Sequence, residues 1–316
     1  MYIPEKYMST RTFRRIELYR MRTFNDKFSD TFSWLREQWK PLLIFMTYFL
    51  LPLAIVNAFF MPDVLSPNID VYSDEIPVSF LTSVGCYLLF TFVAQLLCYS
   101  ITYAMLRMYF FAPASLATLS VHTFWPEMRY CLWRAFKISL LVFGVVLLAM
   151  GLYIGLAILI GATLGFVVIL MVPVLFLLIV AALPLMLVMP RTLLTDDDMI
   201  PSFTNGYRLG WNTLGGVILI ALIITIITNI ITSVCGIPVM IISMLKGFNN
   251  AGIGDFEFLH SPLFIFVEFL CNILYGFVTF CFSAVLHVAM AFQYGHAAEK
   301  IDGITSAQNL KSFESL

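Results

Sequence analysis

The chain has 316 residues, of which 60% are hydrophobic and 12% charged, with 18 Lys and Arg against 19 Asp and Glu for a net charge of −1. A soluble domain carries about 25% charge, so this composition excludes a water-covered globule and points to an integral membrane protein. Charge this sparse leaves no basic stripe for nucleic acid once membrane segments are assigned.

The first forty residues are polar and lack the apolar core of a secretory leader. Residues 1–24 form a basic arm in which Arg11, Arg14, Arg15, Arg20 and Arg22 alternate with Phe13, Ile16, Leu18, Tyr19 and Met21. Each basic residue near an anionic lipid surface contributes about 1 kcal/mol. The arm equally suits docking to a partner or setting topology, and the residues do not separate these roles.

Six apolar stretches follow, near 41–61, 79–111, 137–160, 164–189, 212–245 and 263–293. A span needs about 20 residues at 1.5 Å rise to cross about 30 Å of hydrocarbon, so the longer stretches must tilt, bend or project. Pro173 and Pro238 each remove a helix hydrogen bond and predict bends in passes four and five. Gly161 and Gly165 bracket a very short turn between passes three and four. Every Lys and Arg except Lys246 falls on one side of this topology, whereas the loop between Met61 and Ser79 carries Asp63, Asp70, Asp74 and Glu75 with no basic residue. The positive-inside rule then predicts an inner (plasma) membrane protein with both termini cytoplasmic.

An amphipathic stretch precedes each odd-numbered pass. Phe28, Phe32, Leu35 and Trp39 recur at i, i+4, i+7 and i+11, and Phe124, Met128, Cys131 and Ala135 repeat those offsets. Phe203, Tyr207, Gly210 and Leu214 follow them before pass five, with glycine at one position. Pro126 and Pro201 suit first-turn positions and Asp198 suits a cap. All five tryptophans, Trp34, Trp39, Trp125, Trp133 and Trp211, fall in these elbows, where indole is expected to anchor at the headgroup boundary. The expectation is an all-α polytopic bundle: six transmembrane helices, three interfacial elbow helices, and three parallel elbow-plus-hairpin units at 25–111, 118–189 and 198–295. A single transmembrane domain would then cover 25–295, with a cytoplasmic tail at 296–316. The alternative is that any multipass protein gathers aromatic amphipathic connectors on its inner face.

The junctions carry a resemblance. Ser33-Trp34-Leu35-Arg36-Glu37-Gln38-Trp39-Lys40-Pro41-Leu42-Leu43 and Ser202-Phe203-Thr204-Asn205-Gly206-Tyr207-Arg208-Leu209-Gly210-Trp211 share Arg-x-x-Trp. Together they resemble the recurrent element of the membrane domain attached to some bacterial glycerophosphoryl diester phosphodiesterases, and of related free-standing multipass proteins. The resemblance covers about residues 25–295 and implies a six-pass bundle. It carries over no catalytic residue, because the phosphodiesterase barrel and its His-Arg-Gly start have no counterpart in this sequence.

The motif survey yields no metalloprotease, Walker, dinucleotide or serine-hydrolase pattern, so no enzyme, cofactor or metal site is expected. The six cysteines lack CxxC spacing and read as small buried hydrophobes. Asp196-Asp197-Asp198 reads as a solvated turn beside a helix cap. Glu268 is the residue hardest to treat as filler, since a carboxylate in hydrocarbon costs several kcal/mol and faces a bundle interior or a wet cavity. Asn272 and Tyr275 continue its stripe, and Asn229, Thr228 and Thr232 of pass five are expected opposite. On the inner half, Gln95, Tyr99, Tyr103 and Arg107 form a row on pass two, with His287 and Gln293 on pass six. Glu268 and His287 are 19 residues apart, about 28 Å along a helix, and cannot be a direct acid–base pair. The favoured function is a non-catalytic accessory or scaffold of a membrane or envelope assembly, with lipids and a membrane protein as partners, because the recognisable signals serve insertion, orientation and packing; the alternative is a transporter of a small molecule, ion or lipid along the polar stripe. In the first, Glu268 is packing glue between helices; in the second it is a ligand or proton site.

Overall fold

A computed structural model describes residues 16–65, 77–112, 120–161, 167–250, 252–253 and 256–305. Among them the chain is helical throughout: α1 (Phe24–Leu65), α2 (Val78–Phe111), α3 (Val121–Gly161), α4 (Val167–Ala182), a 3-10 turn (Leu183–Leu187), α5 (Val188–Leu194), α6 (Met199–Asn212), α7 (Leu214–Asn250), a second 3-10 turn (Glu257–His260) and α8 (Pro262–Asp302). Six helical segments are long and apolar enough to cross a membrane, the fourth being α4 with its turn and α5. Among the described residues the protein is all-helical, and its six long apolar helices suit a multi-pass integral membrane protein.

Three separate elbow helices are not what these residues form. The stretches before passes one and three are the first turns of α1 and α3, uninterrupted helices of 42 and 41 residues. Arg36-Glu37-Gln38-Trp39-Lys40 and Trp133-Arg134-Ala135-Phe136-Lys137 contain no glycine and propagate the helix, so pass and elbow become one rod. Only α6 stands apart. It ends where Thr213 leaves the helical region and donates its hydroxyl to the Leu209 carbonyl.

Pass four breaks elsewhere than expected. Pro173 lies inside α4, and the helix tightens to 3-10 geometry only at Leu183–Leu187, around a buried Pro184. There α6 crosses with its backbone pressed in by Gly206 and Gly210. A Cβ at Gly206 would sit 2.8 Å from the Val188 Cα, and one at Gly210 would collide with the Pro184 backbone. Small residues four apart permit this approach between helices. Pro238 lies within α7, which continues through it.

α8 is the centre of the bundle, flanked by α1, α2 and α7, while α3 runs along α2 and α4 packs chiefly on α3. Fully buried side chains gather at one end, among them Ile101, Met105, Phe124, Met128 and Phe292. Both described chain ends meet there: Tyr19 packs edge-on against Tyr294 at 6.3 Å, and the Thr305 hydroxyl donates to the Tyr19 carbonyl at 3.3 Å. We call this the basal end. The opposite end we call distal. In the most apolar window of α3 no residue is buried, and Leu140, Leu147, Leu148 and Leu152 are exposed.

The basal end is locked by polar contacts. The Arg22 guanidinium is buried, ion-paired with Asp30 at 2.7 Å, and donates to the carbonyls of Glu17 and Leu18. The Arg22 amide donates to His296 Nδ1 at 3.0 Å. The segment before α1 crosses α8 at Gly295, where a Cβ would strike the Leu18 backbone. Arm residues 16–22 are therefore folded onto α8, and residues 1–15 lie outside the described chain. Asp196 and Asp197 are not simply solvated: Arg107 and Tyr130 contact the Asp196 carboxylate at 3.1 and 2.7 Å, and Arg191 pairs with Asp197 at 2.7 Å. Asp198 occupies the N-cap position of α6 without a side-chain capping bond.

Candidate functional site

A polar stripe runs down α8 through Glu268, Asn272, Tyr275, Thr279, Ser283 and His287, at spacings of three and four that keep it on one helix face. The facing row on α2 comprises Ser83, Tyr87, Thr91, Gln95 and Tyr99, one residue per turn. The helices therefore meet along a polar seam.

In its distal half the seam opens into a cavity of about 120 Å³ between α1, α2 and α8. Asn57, Tyr87, Thr91, Gln95, Asn272, Tyr275 and Thr279 supply its polar lining. Asn57 Nδ2 donates to Thr91 Oγ1 at 2.9 Å, whereas the buried Asn57 Oδ1 has no protein partner among the described residues. Tyr275 lies against Gly236 of α7, so a Cβ at that glycine would meet the ring at 2.8 Å. Among the described residues its polar lining holds amides, phenols and hydroxyls and no charged group. A space of this size admits several waters, and a buried amide oxygen lacking a protein partner favours a polar occupant.

Basal to the cavity the seam closes. Cys98 Sγ approaches the Phe280 carbonyl at 3.4 Å, Ser283 Oγ at 3.2 Å and His287 Nδ1 at 3.8 Å. Beyond this constriction His287 stacks on Tyr99 at 3.9 Å between ring centres, and Tyr103 donates to its carbonyl at 3.1 Å. His287, Tyr99, Tyr103 and Ser139 border a second space of about 470 Å³, otherwise apolar, between α2, α3, α8 and the 3-10 turn of pass four.

Distal to the cavity, Lys246 Nζ contacts both carboxylate oxygens of Glu268, at 2.6 and 2.7 Å. Glu268 is buried and Lys246 partly exposed, so the pair ties the distal ends of α7 and α8. Ala58 borders both the cavity and the outer cleft in which Glu268 sits.

Of the residues singled out in the sequence, Gln95, Asn272 and Tyr275 line one cavity. Glu268 stands one turn above it with a counter-ion, and His287 belongs to the second space below the constriction. Asn229 is exposed and does not face the stripe; Thr232, buried on α7, donates to the Asn229 carbonyl. Trp34 is no interfacial anchor. It falls at i+7 from Lys27 and i+3 from Thr31 on the buried stripe of α1, fully enclosed, its ring edge-on to Tyr109 at 6.3 Å. Trp39, Trp125, Trp133 and Trp211 leave about half their surface exposed, between 47% and 59%. Asn57, Tyr87, Thr91 and Thr279 were missed by sequence reasoning; extending the α2 row backward from Gln95 in steps of four finds Thr91 and Tyr87, and one more step of four along α8 from Tyr275 finds Thr279. No family model, curated protein or solved structure matches this chain.

Proposed function

We propose that the chain binds and passes a small, neutral, hydrogen-bonding solute through the cavity between α1, α2 and α8. One observation carries this reading: seven polar side chains from three helices converge on a cavity within the bundle, and its lining includes no charge among the described residues. Polar side chains at membrane depth are costly unless they serve packing or a pathway, and a cavity between the helices gives packing alone little reason to gather them. The Cys98–Phe280–Ser283 constriction and the Lys246–Glu268 pair are the two places where passage would be controlled. The basic-residue asymmetry supports an inner-membrane orientation with the basal end cytoplasmic. The three-unit repeat and the likeness to the phosphodiesterase-attached membrane domain rest on the junction residues alone.

The test is permeability of vesicles containing the full chain, followed by light scattering with water, urea and glycerol as probes. The proposal expects at least one probe to cross faster than in empty vesicles, and Asn272→Leu to restore the empty-vesicle rate with folded yield retained. Equal rates with and without protein for all three probes would overturn it.

A second reading, an accessory or scaffold in a membrane assembly, is favoured by the α3–α4 hairpin, whose exposed faces present apolar surface for another protein's helices. A photo-crosslinker replacing Leu148 should then trap one protein species in native membranes. Adducts with lipid alone would argue against that reading.

A further inference from the structure

The basic residues of α3 divide by face. Arg134 donates to the Thr192 and Asp197 carbonyls and to the Tyr130 hydroxyl, and neighbouring Arg107 of α2 is engaged by Glu127 and Asp196. Arg129 and Lys137 point the other way, are exposed, and have no acidic partner among the described residues. They alternate with tryptophan in a strict i+4 row, Trp125, Arg129, Trp133 and Lys137, which lies along one edge of the helix at about 6 Å per step. The Lys137 ammonium sits 4.9 Å from the Trp133 ring centre, and Trp125 stacks on Phe49 of α1 at 6.1 Å. Trp125, Arg129 and Trp133 also border one open cleft with Tyr130. Just past Lys137 the exposed surface turns wholly apolar at Leu140 and Phe143. The row therefore stands where a membrane helix passes from headgroups to hydrocarbon.

We propose that this row binds the headgroup of an anionic phospholipid in the basal leaflet. The phosphate lies between Arg129 and Lys137, the indoles flank the glycerol region, and the acyl chains follow the apolar face beyond Leu140. Charge complementarity selects this occupant: two exposed cations without acidic partners among the described residues sit at headgroup depth. Tryptophan beneath an ammonium adds cation–π attraction and fixes the lysine near the interface. A zwitterionic lipid fits the same shape but offers a positive group to the same cations. This site is independent of the cavity reading, since it shares no residue with it.

Native mass spectrometry of the full chain in neutral detergent tests the assignment, with equal amounts of phosphatidylglycerol and phosphatidylcholine as probes. Wild type should retain phosphatidylglycerol preferentially, and Arg129→Gln with Lys137→Gln should lower that preference about tenfold or more, given the contribution of each basic residue at such a surface. A charge-matched control, Arg20→Gln with Arg36→Gln, should leave the preference intact. Equal retention of the two lipids by wild type, or equal losses in both double variants, would overturn the site. Displacement of phosphatidylglycerol by millimolar inorganic phosphate would also overturn it, by showing an anion site that does not need the lipid.

Discussion

Lys246 and Glu268, 22 residues apart on neighbouring helices, close the distal end of the α7–α8 hairpin through two contacts of 2.6 and 2.7 Å. Removing one member strands a buried or partly buried charge, whereas removing both strands none. Glu268→Leu alone should therefore destabilise by about 2 kcal/mol, discounted for the partly exposed lysine, and Lys246→Met should recover most of that loss. A double-mutant cycle on thermal unfolding in detergent checks this. Additive losses would show that the pair contributes no coupling.

The buried Arg22 links the segment before α1 to the core. Burial lowers its pKa and the bond to Asp30 opposes that shift. Arg22→Met should release residues 16–22 from α8 while the transmembrane helices stay intact. Limited trypsinolysis is expected to cut at Arg20 much faster in the variant; an unchanged rate would mean that Leu18 and Tyr19 hold the segment unaided.

The Asp196 tie should fade in acid. The Tyr130 hydroxyl and then Arg107 hold its carboxyl below the usual value, while desolvation works the other way. A lowered folded-state pKa means that this stabilisation is fully present above about pH 3.9 and is lost as pH falls through the folded value. The melting temperature of Asp196→Asn should accordingly lie below wild type at pH 7, and the gap should shrink on acidification. A gap independent of pH would assign the loss to packing.

Gly210 and Gly215 flank the α6–α7 break but differ in surroundings. A Cβ at Gly210 would meet the Pro184 backbone, while one at Gly215 meets nothing within 4 Å. Gly210→Ala should cost about 1–3 kcal/mol through overpacking, and Gly215→Ala should be neutral or gain up to about 1 kcal/mol in helix propensity. Equal melting temperatures would contradict the close crossing of α6 over pass four.

Six passes were legible because each is an apolar run longer than the hydrocarbon core, a property of local composition. Part of the cavity was legible for a similar reason: Gln95, Asn272 and Tyr275 stand out as polar side chains within apolar passes. What escaped depended on pairing between distant segments. Lys246 counted only as a stray outer charge until the hairpin brought it to Glu268, and Asn57 had no visible companion until α1 met α2. Trp34 shows the opposite limit. Its residue type suits an interface, but its position on the buried stripe of α1 decided its place. The 3-10 stretch of pass four lies where α6 crosses close to Pro184, which no count around Pro173 reveals.

Passage of a solute requires the α1–α2–α8 cavity to be a wet site joined to the aqueous phase. Thiol modification requires the thiolate, which does not form in hydrocarbon. In a background with the native cysteines replaced by alanine, Thr279→Cys inside the cavity, Leu274→Cys on the exposed apolar face and Ser261→Cys at the distal end should be compared in sealed vesicles. A small membrane-impermeant methanethiosulfonate is predicted to modify the cysteines at 279 and 261 from the distal side and to spare the one at 274. Modification at 261 together with silence at 279 from both sides of the membrane would contradict the account and leave the polar seam a packing device.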